Sequence, residues 1–290
     1  RHALANSYNI PAVQTLRSLG PDGVQYLLNL MHRFGVDSMG TDASRYGLSL
    51  TLGGGEVSLL ELTRAYAVFS NQGMLVDTTS ISCILDIDKN IIYQYENGCP
   101  EGNVTALTVS RFRGGIQTLD PRIAFLISDI LSDNNARTPA MGSNSVLHTP
   151  GIVTSVKTGT TNDKRDNWTI GYTQDYLTAV WVGNNDNSPM SQVASGITGA
   201  SPIWHNVMVK LLEDTPSHQF TLPSNLIKAD ICPITGQLAC TGCGGKTEYF
   251  VPGTEPKIHC KPEYIQELKD NQAKKNQESR DQILQGASTN

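Results

Sequence analysis

The sequence predicts a mixed α/β (α+β) fold, an antiparallel sheet flanked by helices. Three observations point to it. Apolar residues recur at helical spacing through much of the chain up to about Asp133. Two runs, Trp168 to Tyr172 and Leu177 to Trp181, alternate apolar with polar or small residues, as half-buried strands do. A helical pattern then returns after Ser201-Pro202, so helices lie on both sides of the strands in sequence.

The elements follow in order. Ile10 to Leu19 reads as a helix with Pro11 in its first turn, Val13, Leu16 and Leu19 on one face, and Gly20 at its end. Val24, Leu27, Leu28, Met31 and Phe34 repeat the pattern, closed by Gly35. Ser58-Leu59-Leu60-Glu61 is a capping box, with Val57 and Leu62 placed as a hydrophobic staple. Its helix is expected to run to about Asn71 and stop at Gly73. Ile81 to Tyr95 predicts a hairpin around Asp88-Lys89-Asn90. Asp120-Pro121 caps a helix reaching about Asp133. Val153 to Lys157 is strand-like, and Gln174-Asp175 supplies a tight turn between the two alternating runs. The last helix of this region places Ile203, Val207 and Leu211 on one face.

Composition narrows the function. The chain has 290 residues, 39% apolar and 17% charged, with a net charge of −5. Such a balance excludes the basic excess of a nucleic-acid binder. No apolar run reaches the length of a membrane span. Residue 1 is Arg, and the opening segment already reads as domain interior, which predicts a piece of something longer. Three regions are expected: a main domain over 1–214, a small cysteine-bearing appendage over 215–262, and a polar tail over 263–290 that is disordered or marginally helical.

Four of the six cysteines, Cys232, Cys240, Cys243 and Cys260, cluster in the appendage. Their spacing suits a thiolate zinc site, since Cys240 and Cys243 form a CxxC pair, and equally suits two disulfides. A local staple on a loop-rich segment is the simpler reading, and no metal ligand is assigned. Asn103-Val104-Thr105 and Asn167-Trp168-Thr169 match the glycosylation sequon, a short pattern common by chance. Gly53-Gly54-Gly55 lacks a following Lys-Ser/Thr and reads as a turn, and the six histidines show no metal spacing.

Two short patterns carry chemistry. Lys157-Thr158-Gly159 lies at a strand, followed by Thr160-Thr161, and Ser7-Tyr8-Asn9 lies in a loop between helices. Each is weak alone: the first suits a strand-end turn with a solvated lysine, the second an N-cap. Their order and placement match two of the three active-site parts of penicillin-interacting serine enzymes.

Longer stretches extend the likeness. Ala3 to Val13, Leu52 to Val57 with Ala65-Tyr66-Ala67, Lys157 to Asp163 with Asn167-Trp168 and Gly171-Tyr172-Thr173, Trp181-Val182-Gly183, Ala200 to Trp204, and Glu248 to Pro256 together resemble class A penicillin-binding proteins. The resemblance covers roughly residues 1–262. It implies a β-lactamase/transpeptidase-like fold, truncated at its N-terminus, with an unpaired sheet edge, an exposed helix-binding groove and low stability.

It also implies D,D-transpeptidation of peptidoglycan stem peptides through an acyl-serine, with β-lactams as inhibitors and no cofactor. Ser7 is then a proton relay and Lys157 the positive charge facing the substrate carboxylate. Asn9 orients the substrate amide, the hydroxyls of Thr158 and Thr160 bind the carboxylate, Gly159 is counted with them among the substrate-binding residues, and the Thr160 N–H is half of an oxyanion hole. The family's nucleophile belongs to a Ser-x-x-Lys, yet no serine here has lysine three positions on. The chain is therefore expected to be inactive alone. The glycosyltransferase domain and membrane anchor of full-length members are expected outside it, placing the whole protein at the extracytoplasmic membrane face. A D,D-carboxypeptidase, a β-lactamase-like enzyme and a non-catalytic wall-binding module are the alternatives.

Overall fold

The computed structural model describes residues 1–95, 99, 115–161, 164–190, 198–216 and 218–287. Asn162, Asp163 and the Asn103-Val104-Thr105 sequon lie outside them. The chain forms two units, Arg1–Leu222 and Pro223–Asn290.

The first unit begins with α1 (His2–Ala5), α2 (Asn9–Ser18) and α3 (Gly23–Arg33). Next comes α4 (Leu59–Ser70), where the expected capping box is present: the Ser58 hydroxyl accepts from the Glu61 N–H, and the Glu61 carboxylate takes the Ser58 N–H. Leu28, Phe34, Val36, Met39, Leu50, Ala65 and Val68 are buried together, so α3 and α4 share one core. Strand β1 (Met74–Leu75) precedes the predicted hairpin, formed by β2 (Cys83–Leu85) and β3 (Ile91–Gln94) and tied by a Cys83–Cys99 disulfide. Strand β4 (Ile116–Gln117) returns to pair with β1. Helix α5 (Pro121–Ser132) is capped by Asp120 through the Arg122 N–H. The short α6 (Asn134–Met141) follows, with no counterpart in the sequence reading.

The main sheet is β5 (Ser155–Thr160), β6 (Asp166–Tyr172) and β7 (Leu177–Gly183), antiparallel in that order. Register fixes its faces. Lys157 pairs with Ile170 and Gly159 with Trp168, while Trp168 pairs with Trp181 and Ile170 with Ala179. These residues therefore share one face with Ser155 and Tyr172, the face on which α4 and α5 pack. Val156, Thr158, Thr160, Asn167, Thr169 and Gly171 share the other, covered by α7 (Ala200–Leu212).

Helix α7 corrects the expected apolar face. Ile203, Val207 and Leu211 are 40–49% exposed, whereas Trp204 and Met208 are fully buried and Leu212 nearly so. The helix is apolar almost all round, so spacing alone does not choose its face; contact with the sheet does. Gly171 makes that contact possible, because a Cβ there would stand 2.4 Å from the Trp204 ring.

The second unit pairs β8 (Ile227–Ile231) with β9 (Lys246–Phe250) and ends in α8 (Pro262–Ala287). Its start at 223 lies a little beyond the expected boundary at 214/215. The polar stretch read as a tail is a helix from 262 to 287, built from Glu, Gln, Lys and Ala, residues of good helix propensity. The clustered cysteines pair as Cys232–Cys243 and Cys240–Cys260.

Candidate active site

The two short patterns meet in space. The Lys157 Nζ donates to the Ser7 Oγ at 2.6 Å, across 150 residues of sequence. The same ammonium donates to the Thr158 carbonyl at 2.6 Å. Lys157 lies on the α4/α5 face of β5, and burial pulls its pKa down from the ordinary 10.5 to about 8. Loss of solvation, rather than a neighbouring charge, is the cause.

Ser7 sits at the corner between α1 and α2 with φ +58°, a left-handed conformation uncommon for serine. Residues in such a conformation persist where their surroundings over-determine them. Here the clamps are visible. Asn6, buried beside it, donates to the His2 and Ala136 carbonyls at 2.9 and 2.7 Å and accepts the Ala140 N–H at 2.9 Å. Arg1 forms ion pairs with Asp129 on α5 and with Asp133, the residue that caps it. Asn9 opens α2 and is exposed, with no hydrogen bond to Ser7 or Lys157 among the described residues.

The other predicted residues line the strand. Thr158 is partly buried, Gly159 lies opposite Trp168, and Thr160 is exposed at the strand end. A Cβ on Gly159 would only touch the Trp168 side chain at 3.5 Å, so no close packing enforces this glycine. The hairpin turn after Thr160 is closed by Thr161 and Asp166. The Thr161 N–H donates to the Asp166 carbonyl at 3.1 Å, and the Asp166 N–H to the Thr161 hydroxyl at 2.8 Å. Asp166 also accepts the Trp181 indole N–H at 2.9 Å.

Asn167 is a residue to which the sequence reading gave no site role, naming it only in a sequon and in the stretches that resemble the family. It is fully buried and pairs across the strands with Thr160. Its Oδ1 accepts the Ala200 N–H at 2.6 Å, at the start of α7, and its Nδ2 donates to the Thr160 Oγ1 at 3.3 Å. The first bond orients the amide, and that orientation makes Thr160 an acceptor toward the protein. The Thr160 hydroxyl proton is left to point outward. No pattern of residue types signals this; only the cross-strand register does.

Chemically, the arrangement offers a cation of lowered basicity in contact with a hydroxyl, beside a strand edge bearing Thr158 and Thr160. It suits binding a carboxylate and moving a proton at a serine oxygen.

Comparison with known proteins shows the family. The penicillin binding protein transpeptidase domain family matches residues 1–208, and the penicillin-binding protein 1A C-terminal domain family matches 222–263. The chain is 31% identical to penicillin-binding protein 1A of Aquifex aeolicus, over 90% of this chain and 32% of the relative. It is 28% identical to its counterpart from Pseudomonas aeruginosa, over 84% and 33%. The chain thus spans about a third of the length of these curated relatives. The crystal structure of penicillin-binding protein 1A from Haemophilus influenzae superposes with a TM-score of 0.71 at 27% identity, covering 89% of this chain and 40% of that one. PonA1 of Mycobacterium tuberculosis, solved with penicillin V, shares the fold at a TM-score of 0.60 and 20% identity, over 77% and 58%. Matched over 208 residues by the transpeptidase family and followed by the 1A-type C-terminal domain, this chain belongs to the penicillin-binding protein transpeptidases.

Proposed function

We propose that these residues form the substrate-binding wall of a peptidoglycan D,D-transpeptidase. The observation that carries the reading is the Lys157–Ser7 contact, which joins the Lys-Thr-Gly strand to the Ser-x-Asn corner. In this reading an acyl-serine forms at the penultimate D-Ala of a stem peptide, the terminal D-Ala leaves, and an amine of a neighbouring strand resolves it. Lys157 and the hydroxyls of Thr158 and Thr160 bind the terminal carboxylate. Ser7 passes a proton between the departing or attacking amine and a lysine. Asn9 aligns the substrate amide, Gly159 leaves the strand edge bare, and the Thr160 N–H faces the developing oxyanion. β-Lactams present the same carboxylate and carbonyl to the same groups. The whole protein works at the extracytoplasmic face of the membrane; among the described residues no helix is long and apolar enough to cross one.

The wall carries no nucleophile. No Ser-x-x-Lys occurs in the 290 residues, so this chain does not transfer acyl groups unaided. A fluorescent penicillin is expected to leave it unlabelled after denaturing electrophoresis. Covalent label on this chain would overturn the assignment of roles. Finding a Ser-x-x-Lys encoded ahead of Arg1 separates the enzyme from a wall-binding module, which needs none.

A further inference from the structure

The second unit has a core made largely of sulfur. Its buried cluster is Cys232, Cys243, Cys260 and Ile265, with Cys240 packed against it. The two bridges cross: Cys240 and Cys243, only three positions apart, bond to different partners. Crossing brings the bridges together, so that the Sγ atoms of Cys232, Cys243 and Cys260 lie within 4.8 Å of one another. The fourth sulfur, on Cys240, is bonded to that of Cys260. Three sulfurs therefore converge, and the fourth is held next to one of them by its bond. In a tetrahedral zinc tetrathiolate, with zinc–sulfur bonds of about 2.3 Å, neighbouring sulfurs stand roughly 3.8 Å apart. Reduction frees the four sulfurs, and the Cys240 side chain closes toward the other three to reach that spacing.

The backbone around the sulfurs is built as two chelating turns. In Cys240-Thr241-Gly242-Cys243 the Cys243 N–H folds back to the Cys240 carbonyl at 3.2 Å, with Gly242 and Gly244 both at positive φ. In Cys232-Pro233-Ile234-Thr235-Gly236 the Gly236 N–H returns to the Cys232 carbonyl at 2.8 Å, again with a positive φ at the glycine. Cys260 is fixed by its N–H on the Leu238 carbonyl at 2.8 Å. The Lys269 ammonium sits on the Gly242 carbonyl at 2.6 Å, bringing positive charge to the loop that would carry two thiolates. A disulfide needs only two facing Cβ atoms; tight turns that aim a CxxC pair and two distant cysteines at one centre are what a single thiophilic ion requires.

We propose that Cys232, Cys240, Cys243 and Cys260 bind one zinc ion when reduced, and that the two disulfides are the oxidised state of the same site. A dithiol reductant gives each bridge two electrons and two protons, becoming a cyclic disulfide and leaving two thiols. Zinc then displaces four protons as the thiolates coordinate. A disulfide oxidant takes the four electrons back, restores both bridges and releases the ion. The inference concerns the second unit alone and stands apart from the transpeptidase reading.

Cobalt(II) tests it on the 290-residue chain carrying Cys83→Ser and Cys99→Ser, which removes the remaining bridge. After phosphine reduction and anaerobic desalting, one cobalt per chain is expected, with the intense thiolate charge-transfer and visible bands of a tetrahedral sulfur site. One equivalent of zinc should bleach them, and a disulfide oxidant should release the metal and lower the mass by four protons. Further exchange of Cys240 and Cys243 for serine should take stoichiometry from one to none. A reduced chain with all four of these cysteines that binds no cobalt, or one whose spectrum lacks the thiolate bands, overturns the proposal. So does unchanged binding in the Cys240→Ser/Cys243→Ser chain.

Discussion

Asn167 is the sharpest test of how the site strand is held. In Asn167→Ala the Ala200 N–H, 2.6 Å from the lost Oδ1, is left buried with its acceptor gone. An orphaned buried donor costs about 1–3 kcal/mol. The Thr160 hydroxyl also loses a partner at 3.3 Å, but it is exposed and water replaces it. The expected loss is therefore about 2 kcal/mol, read as a lower urea midpoint at unchanged slope. Asn167→Asp separates the two roles. The carboxylate still accepts from Ala200, and it faces a helix N-terminus, which favours negative charge by about 0.3–1 kcal/mol. Toward Thr160, however, it accepts where the amide donated, so the hydroxyl turns inward. The aspartate chain should keep more of its stability than the alanine chain, yet bind a D-Ala-D-Ala peptide more weakly by titration calorimetry. A loss below about 0.5 kcal/mol in Asn167→Ala, the range of an ordinary surface change, would refute the reasoning.

Two other outcomes follow from the packing at Gly171 and the burial of Lys157. Gly171→Ala places a methyl 2.4–2.7 Å from three atoms of the buried Trp204 ring, so a loss of about 1–3 kcal/mol is expected by chemical denaturation; a neutral effect would show that α7 does not rest on the strand. Lys157 has a folded pKa near 8 against an ordinary 10.5, so the folded chain binds fewer protons than the unfolded chain between those values. Relative to Lys157→Met, stability should rise with pH across that window and carry its penalty below it, and a falling difference would reject the burial of the ammonium.

Local chemistry made much of this legible in sequence. The capping box at Ser58 and Glu61, the Asp120 cap and the alternating strands each follow from side chains a few positions apart, and the structure has them all. The site was legible as two patterns, Ser7-Tyr8-Asn9 and Lys157-Thr158-Gly159, and their contact is real. What failed was whatever needs a partner to decide. The apolar residues of α7 surround the helix, so Trp204 and Met208 face the sheet only because Gly171 leaves room for an indole. Asn167 gains its role from a cross-strand neighbour and a helix start 33 residues away. The cysteine spacing allowed several pairings, and the crossing of the bridges is set by how the loops fold back.

The Ser7–Lys157 contact raises a question of precision: a 2.6 Å contact between residues 150 apart needs a common ruler. Helix α5 provides it. On one side Arg1 reaches Asp129 of α5 and Asp133 at its cap, and Asn6 grips Ala136 and Ala140 of the adjoining α6. These clamps set the corner that carries Ser7. On the other side the Ser155 hydroxyl, two residues before Lys157 and on the same sheet face, donates to the Ser128 carbonyl of α5 at 2.7 Å. The Ser128 hydroxyl in turn meets the Tyr172 hydroxyl of β6 at 3.0 Å, deep under the sheet. Both members of the contact are thus referenced to the last turn of α5 and its cap, from Ser128 to Asp133. Errors elsewhere in the fold do not accumulate between them. The strain of a left-handed serine, about 1–3 kcal/mol, is opposed by the Asn6 hydrogen bonds to α6 and the Arg1 ion pairs at the end of α5. A site built this way keeps its hydroxyl-to-ammonium distance as long as α5 and the adjoining α6 are intact, whatever the loops that separate the two patterns do.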